Sequence, residues 1–328
     1  MSLLFLGRED VDRLLAMDAC IEAMATALVE LSTGRIAQPL RVPFAPADAA
    51  GFLVWMPAHR GGPDPAFAAK LLCIVPDNPG RGLDAHQGAV VLLDGMTGEL
   101  RAVIDASAIT AIRTAAVSAV AARCLARPDA AELAIVGTGV QAERHLEAIP
   151  LVRPIRRARI AGRSAERARA FVDRVRVPAG VEVVPADSAR DAVRGADVVV
   201  TATSSRVPVV DVEWLSPGAH VSAVGASRPP AHELSPESMA ACALFVDRRQ
   251  SLEGEAAEWQ EAVARGLVGP EHVRGEIGEV LAGMRPGRTS AAEITLFRSL
   301  GLAAEDLAAA ELVWRRALAA GAGTAIRF

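Results

Sequence analysis

The sequence predicts an α/β protein in which a doubly wound parallel sheet forms one domain and an α+β domain is built from both chain ends. Strands and helices alternate along residues 132–247, which is the pattern of a parallel sheet with crossover helices. Short apolar runs separated by proline and glycine fill residues 40–110 and indicate a second sheet. Helical periodicity marks residues 8–33 and 303–320, and the 328-residue chain is long enough for both domains.

The predicted α+β domain begins with an amphipathic helix over residues 8–33. Strands of an antiparallel or mixed sheet follow, with a turn at residues 94–99 whose Asp-Gly start is typical of a hairpin. A helix of small residues extends over residues 108–126 before a proline ends it. The predicted strands are residues 52–56, 70–75, 89–94 and 102–105.

The predicted parallel-sheet domain alternates strands with helices. Its strands are residues 132–136, 158–161, 181–184, 196–201, 220–224 and 244–247. The helices between them end near residue 149 or cover residues 164–176 and 187–194. Because the last helix is expected to return to the first domain, we assign residues 1–118 and 302–328 to the α+β domain and residues 119–301 to the parallel-sheet domain.

Composition narrows the classes of protein to which the chain can belong. Hydrophobic residues make up 51% and charged residues 23%, which excludes an intrinsically disordered chain. The net charge of −4 predicts no nucleic-acid partner, and no apolar run reaches the ~18–20 residues of a membrane span. The four cysteines lie far apart and the N-terminus has no basic segment, so we expect a reduced, cytoplasmic protein without a metal.

Lys70 is the single lysine in a chain with 34 arginines. Where arginine serves every other cationic position, a retained lysine indicates a task that arginine cannot perform, since a buried lysine can lose its proton and donates from a compact group. The alternative is a residual surface lysine. The chain also has no tyrosine, which excludes tyrosine as a catalytic acid.

A glycine-rich turn follows a buried strand and opens a helix, the setting in which the pattern GxGxxA indicates dinucleotide binding. Gly137 permits the tight turn, Gly139 lets a diphosphate approach the backbone, and Ala142 allows the helix to pack closely on the strand. Free N–H groups at the helix start favour an anion. The alternative is an ordinary strand–helix turn. The expected cofactor contacts here are Gly137, Thr138, Gly139, Val140 and Gln141.

The end of the next strand indicates which dinucleotide binds. Proteins specific for NAD place an acidic residue there, but no Asp or Glu occurs between Glu147 and Glu166. Arg163, Ser164 and Arg167 stand there instead and suit a 2′-phosphate, so we expect NADP(H) to be preferred with NAD(H) also accepted. The alternative is that Arg163 only stacks on adenine. By position, the ends of two later strands should also line the cofactor, through Thr201, Ala202, Thr203, Val224, Gly225 and Ala226.

Further motifs extend along nearly the whole chain, at residues 38–41, 56–58, 69–71, 86–87, 109–119, 137–142, 217–220, 224–229, 233–234 and 295–301. Together they resemble the ornithine cyclodeaminase and mu-crystallin family. The resemblance implies a Rossmann domain, a homodimer formed by the domain that holds both termini, and an active site in the cleft between the domains.

The resemblance also implies site residues. Arg41, Lys70 and Arg113 match the ligands of the substrate carboxylate, and two arginines with a lysine suit that anion chemically. For each arginine alone, the alternative is a solvated surface position or a structural ion pair. His86 falls on a family motif, either as a proton relay to a substrate imine or as a supporting hydrogen-bond donor, and Met56 is expected near the substrate. The remaining expected cofactor contacts are Arg113, Thr114, Arg228 and Ser299, the last with a helix cap as its alternative role.

One departure separates the chain from true ornithine cyclodeaminases. Those enzymes carry an aspartate, the base for the cyclising amine, at the position of Ser227, and a serine hydroxyl is too weak a base to replace it. Ser227 is kept as a candidate catalytic residue because of this position. Residues 227–229 resemble the mu-crystallin branch, whose members bind NADPH and reduce cyclic ketimines.

We therefore expect an NAD(P)H-dependent reductase of small, cyclic ketimine carboxylates such as Δ1-pyrroline-2-carboxylate or Δ1-piperideine-2-carboxylate. Hydride transfer needs a protonated imine, so Lys70, His86 or a bound water has to supply the proton. Three alternatives remain: an ornithine cyclodeaminase, an amino-acid dehydrogenase similar to alanine dehydrogenase, and an NADPH-binding protein without turnover.

Overall fold

The structure, a computed structural model, describes residues 2–227 and 229–327 and divides the chain into two compact units. The first unit contains the chain up to Arg113 and again from Leu302, and the second contains Thr114–Gly301. The division therefore falls between Arg113 and Thr114, inside a helix, whereas the sequence analysis placed it after residue 118.

The first unit contains a mixed sheet of eight strands, in the order β16-β1-β7-β6-β5-β4-β2 with β3 paired to β4. Within the described residues, the pair of β1 and β7 is parallel and the other strand pairs are antiparallel. The strands are β1 (Ser2–Leu6), β2 (Ile36–Ala37), β3 (Val42–Phe44), β4 (Phe52–Arg60), β5 (Ala66–Ile74), β6 (His86–Asp94), β7 (Leu100–Asp105) and β16 (Thr324–Arg327). The helices are α1 (Arg8–Leu14), α2 (Met17–Ser32), α11 (Ala303–Ala320) and the start of α3 (Ala106–Leu125).

The two faces of this sheet differ in burial. Helix α11 packs on β4, β5 and β6, and α2 packs beside α11. On β4, Val54 and Met56 are buried on the helix side, while Leu53 and Trp55 on the opposite side are exposed. This alternation follows from the two-residue period of a strand. The packing of α2 and α11, which come from opposite ends of the chain, confirms the predicted α+β domain built from both chain ends.

The predicted helix over residues 8–33 is wrong as a single element, because the structure breaks it into α1 and α2. Leu15 ends α1 and Ala16 takes an extended conformation before α2 begins. In a continuous helix Asp18 would fall on the same face as Leu14 and Leu15. The break exposes Asp18 and buries Met17 in its place. By contrast, α11 and the turn between β6 and β7 match their predictions.

The second unit contains an all-parallel sheet of eight strands, in the order β10-β9-β8-β11-β12-β15-β13-β14. The strands are β8 (Glu132–Val136), β9 (Arg157–Ala161), β10 (Glu182–Pro185), β11 (Val198–Thr201), β12 (His220–Ala223), β13 (Ala243–Val246), β14 (Val273–Glu276) and β15 (Thr295–Arg298). The helices after α3 are α4 (Val140–Ala148), α5 (Ala165–Arg174), α6 (Ala189–Val193), α7 (Pro236–Ala241), α8 (Arg249–Glu255), α9 (Ala257–Ala264) and α10 (Ile277–Leu281).

This topology confirms the predicted doubly wound sheet. The strand order reverses between β8 and β11, which is the point where doubly wound sheets bind dinucleotides. Strands β11, β12, β13 and β15 are buried along their whole length, as strands covered on both faces must be. The sequence analysis did not predict β14, β15 or the helices α7 to α10.

Candidate active site

The first unit buries a cluster of four charged side chains. Lys70 on β5 places its Nζ 2.7 Å from Asp306 Oδ2, and the side chains of both residues are 1% exposed. Arg113 on α3 places its Nε 3.1 Å from Asp306 Oδ1 and its Nη1 2.7 Å from Glu305 Oε2. Asp306 therefore joins the lysine to the arginine, and Glu305 contacts the arginine.

The two carboxylates owe their place to α11. Both Glu305 and Asp306 stand in the first turn of this helix, where the helix dipole stabilises negative charge. The backbone N–H of Ala304 in the same turn donates to Gln38 Oε1 at 2.8 Å, which fixes the helix start to the segment before β3. Asp306, which is distant from β5 in the sequence, thereby reaches Lys70 on that strand.

The structure brings the predicted substrate residues of this unit to one place. Met56 on β4 is the cross-strand neighbour of Lys70. Arg41, just before β3, lies close enough for its charge to lower the pKa of Lys70. His86, at the start of β6, is close enough for Lys70 and Arg113 to lower its own pKa.

Burial sets the protonation of the two candidate proton donors. It lowers the pKa of Lys70 to about 8; Asp306 opposes this shift, while Arg113 and Arg41 add to it. Desolvation, followed by the charges of Lys70 and Arg113, lowers the pKa of His86 below its usual 6.5, although solvent still reaches the residue. At pH 7 Lys70 is therefore mainly charged and His86 mainly neutral.

The glycine-rich turn of the second unit fits a dinucleotide diphosphate. Gly137 has φ +140°, and a Cβ there would stand 2.4 Å from the carbonyl oxygen of Ala202, so only glycine is accommodated. A Cβ on Gly139 would meet nothing within 4 Å, so the backbone is open on that side. Gly139 is the N-cap of α4 and brings no side chain to the helix start, which suits an anion there.

Glu233 joins the ends of β11 and β12. Its Oε1 accepts from Thr203 N at 2.6 Å and Thr203 Oγ1 at 2.8 Å. Its Oε2 accepts from Thr201 Oγ1 at 2.9 Å and from Gly225 N at 2.7 Å. The residue is 1% exposed, and a Cβ on Gly225 would overlap Thr203 and Glu233. The predicted cofactor residues at both strand ends are therefore held by one carboxylate.

Arg298 supports the same region from β15. Its Nε donates to Glu258, and its Nη1 donates to the carbonyl oxygens of Ala223 at 3.2 Å and Ser299 at 2.9 Å. The backbone N–H of Ser299 donates to Ala223 O at 3.0 Å, which places Ser299 beside the end of β12. The N-cap of α11 is Leu302, so Ser299 does not cap that helix.

The predicted adenine-ribose residues lie together after β9. Arg163 and Arg167 are exposed, and Ser164 is the N-cap of α5, with its Oγ accepting from Arg167 N at 3.3 Å. Arg174 at the end of α5 donates to Thr138 O at 3.0 Å and stacks on Phe171. Arg174 was not predicted and adds a cation beside the glycine-rich turn.

The remaining predicted residues are placed as follows. Thr114 is buried on α3, the first-turn residues Val140 and Gln141 begin α4, and Val224, Ala226 and Ser227 follow β12. Arg228 lies outside the described residues. Within residues 2–227 and 229–327, no group of three or more His, Cys, Asp or Glu side chains is arranged to hold a metal.

The sequence profile of the ornithine cyclodeaminase/mu-crystallin family matches residues 1–321. This chain belongs to that family. Its glycine-rich turn and its Lys70–Arg113 cluster lie within the matched residues.

Similar members of the ornithine cyclodeaminase/mu-crystallin family include enzymes of known chemistry. Ketimine reductase mu-crystallin from Mus musculus is 37% identical over 314 residues, which cover 94% of this chain and 96% of that protein. The structure of Thermococcus litoralis Δ1-pyrroline-2-carboxylate reductase in complex with NADH and L-proline matches with a TM-score of 0.95, 34% identity, and coverage of 99% of this chain and 100% of that chain. An archaeal alanine dehydrogenase dimer with bound NAD matches with a TM-score of 0.92, 34% identity and full coverage of both chains.

The sequence analysis did not identify the acidic residues Glu305, Asp306 and Glu233, which contact the predicted site residues. Glu305 and Asp306 have the sequence signature of ordinary dipole-pairing residues in a first helical turn. Glu233 belongs to one of the motifs, but it lies in an irregular segment, where no helical or strand periodicity predicts the position of its side chain. An available signal was charge balance, because buried cations such as Lys70 and Arg113 require buried carboxylates.

Proposed function

We propose that this protein is an NAD(P)H-dependent reductase of small ketimine carboxylates, with cyclic substrates such as Δ1-pyrroline-2-carboxylate or Δ1-piperideine-2-carboxylate. The observation that carries the proposal is the buried cluster in which the single lysine and Arg113 share Asp306. Support also comes from the glycine-rich turn, which fits a diphosphate, and from relatives named for ketimine and pyrroline-2-carboxylate reduction.

Charge complementarity favours a substrate with a carboxylate. In the buried cluster Lys70 and Arg113 balance Glu305 and Asp306, and Arg41 is a further cation close enough to act on Lys70. A carboxylate is the substrate group that suits these cations. Arginine guanidinium groups bind carboxylates with paired hydrogen bonds, so we assign the substrate carboxylate to Arg41 and Arg113.

Lys70 is the proton donor in this proposal. Its ammonium is ion-paired with Asp306 and donates to Thr110 Oγ1 at 3.4 Å, and an ammonium with three N–H groups has donor capacity left for the substrate. When bound, the reduced nicotinamide supplies a hydride to the imine carbon. Lys70 donates a proton to the imine nitrogen, so the C=N bond becomes CH–NH and the lysine regains its proton from solvent. A donor pKa of about 8 suits this step near neutral pH.

The cyclodeaminase alternative lacks its base, because Ser227 stands where an aspartate is needed. A substrate panel separates the remaining possibilities. We expect oxidation of NADPH or NADH with cyclic ketimine carboxylates, no ammonia release from ornithine with NAD⁺, and little reduction of NAD⁺ by alanine. Turnover confined to ornithine or alanine would refute the proposal, as would cofactor binding without any turnover.

The first prediction concerns Lys70→Arg. The lysine is 1% exposed between Asp306 and Arg113, so a larger planar guanidinium cannot place a donor at the same point. A misplacement of about 1 Å costs on the order of 10²-fold in rate, and we expect kcat to fall at least that far. Cofactor binding, followed by nicotinamide fluorescence, should persist. Retention of most of the turnover would show that Lys70 is not the donor.

The second prediction concerns cofactor preference. We propose that NADPH is preferred because Arg163, Ser164, Arg167 and Arg174 lie near the adenine-ribose position without an acidic partner for a ribose 2′-hydroxyl. Arg163→Ala should weaken NADPH binding by about tenfold or more and NADH binding far less, because it removes a charge-assisted contact to the 2′-phosphate. Arg169→Ala, another exposed arginine of α5, is the matched control in calorimetric titrations. Equal losses for the two cofactors would mean that Arg163 only stacks on adenine.

We also propose a homodimer formed through the uncovered face of the first unit's sheet. Large apolar side chains on β3, β4 and β5 are between 37% and 66% exposed on this face: Val42, Phe44, Leu53, Trp55, Phe67 and Leu71. Their strands pair directly, so the side chains form one contiguous patch. Patches of this kind mark interfaces. An alanine dehydrogenase of similar structure is described as a dimer, which favours a second copy of this chain as the partner.

The third prediction tests this interface. Wild-type protein at micromolar concentration should scatter light as twice the chain mass of 34.2 kDa. Trp55→Glu, which places a charge in the patch, should yield the monomer mass. Leu318→Glu is the control, because Leu318 is 56% exposed on α11, the helix that packs on the opposite face of the sheet. A monomeric wild-type protein would contradict the proposed dimer.

A further inference from the structure

The site depends on carboxylates that do not themselves carry the proposed chemistry, and Asp306 is the first of them. It contacts Lys70 Nζ at 2.7 Å and Arg113 Nε at 3.1 Å, all inside the protein. Glu305 is its neighbour in the sequence and, of these two cations, contacts Arg113. The two adjacent carboxylates therefore divide the cluster unequally, and only one of them touches the lysine.

We infer that Asp306 is a positioning residue that fixes the direction of the Lys70 ammonium and keeps it charged. This inference rests on the proposed function. Several groups face Lys70: Asp306 from α11, Arg113 and Thr110 from α3, Arg41 from the segment before β3, and His86 from β6. Two of these are cations and His86 is mainly neutral, so the negative charge that opposes loss of the lysine proton comes from Asp306.

The single lysine of this chain makes the test direct. Protein grown with isotope-labelled lysine gives one side-chain NMR signal, whose shift against pH reports the pKa of Lys70 without any turnover. The wild-type midpoint should lie near pH 8. In Asp306→Asn the midpoint should move to lower pH, because the stabilising charge is gone while Arg113 and Arg41 remain. Glu305→Gln, the matched control, should keep the wild-type midpoint.

The pH dependence of turnover should shift in the same direction as the pKa of Lys70. The high-pH limb of kcat/KM should move down with the lysine in Asp306→Asn, with about a tenfold or greater loss at pH 8 that narrows at pH 6. Coinciding midpoints for the Asn and Gln variants would overturn the inference. If Asp306→Asn does not fold, Asp306→Glu retains the charge from a shifted position and should lower kcat for the imine while keeping the limb, because the proton donor is displaced; an unchanged kcat would refute the positioning role. A wild type that reduces no imine would refute the proposed function instead, while the NMR result would still stand.

A separate observation in the second unit carries a second inference. Within the described residues, the four hydrogen bonds of the Glu233 side chain come from donors at the carboxyl ends of β11 and β12. Those strands belong to the half of the sheet beyond the switch point, which in doubly wound sheets holds the second nucleotide. We infer that Glu233 is a positioning residue for the nicotinamide half of the dinucleotide.

Glutamine cannot replace Glu233 in this arrangement. Turned one way, its amide group would face the N–H of Thr203; turned the other way, it would face the N–H of Gly225. Either orientation sets two donors against each other, so one loop must move. A carboxylate is required because only it accepts at both oxygens.

Ligands that differ only in the nicotinamide separate this role from a general loss of stability. In calorimetric titrations Glu233→Gln should weaken NADH by about tenfold and ADP-ribose by less than about twofold. Glu276→Gln is the matched control, because Glu276 is a buried carboxylate of the same unit that accepts from Arg249 N at 3.0 Å, away from these loops. It should change neither affinity. Equal losses of NADH and ADP-ribose would overturn the inference, and so would no loss of either.

If Glu233→Gln does not fold, Thr201→Val serves in its place. It is nearly isosteric and removes one of the four donors, so it should give a smaller loss with the same preference for the nicotinamide ligand. An equal loss of both ligands would again refute the role. Binding of both ligands to the wild type tests the proposed dinucleotide site separately, because a wild type that binds neither would refute that site.

Discussion

A charged lysine inside a protein is stable only beside an opposite charge, and the first unit is organised around this requirement. Lys70 stands on a central strand of the sheet, and the carboxylate that balances it comes from residue 306. The ion pair therefore joins the early part of the chain to its last long helix. A unit assembled from both chain ends follows naturally from this contact, because α11 must return to β5 and α3 for the cluster to exist.

The second unit uses a buried carboxylate for a different purpose. Burial raises the pKa of Glu233, while the donors from Thr203 and Gly225 favour its ionised form. Desolvating a carboxylate costs several kcal/mol unless its hydrogen bonds are made, and here all four oxygen contacts are short. These hydrogen bonds hold the two loops that follow the adjacent parallel strands β11 and β12 at a fixed separation. Preorganised loops of this kind let a site bind without rearrangement.

The features that were predictable from sequence are those with a local or periodic cause. The bounds of α11 follow from its apolar spacing, and the turn at Asp94 follows from Asp-Gly chemistry. Break points and strand order have causes that lie elsewhere in the fold. The break between α1 and α2 leaves Met17 buried and Asp18 exposed, which depends on the packing around them. The place of β15 between β12 and β13 depends on tertiary pairing. The contacts of Glu233 with Thr203 and of Asp306 with Lys70 span 30 or more residues, which no local pattern encodes.

The proposed reaction offers a physical reason for the single lysine in a chain that otherwise uses arginine. Transfer of a proton from Lys70 to an imine nitrogen moves a positive charge by a short distance within the cluster and leaves the total unchanged. Arginine cannot take part, because its pKa stays above ~12 and it keeps its proton. The pKa of Lys70, about 8, is the outcome of desolvation and two arginines acting against Asp306. In the proposed reaction the arginines bind the substrate carboxylate and the lysine releases a proton, and Asp306 opposes the loss of that proton.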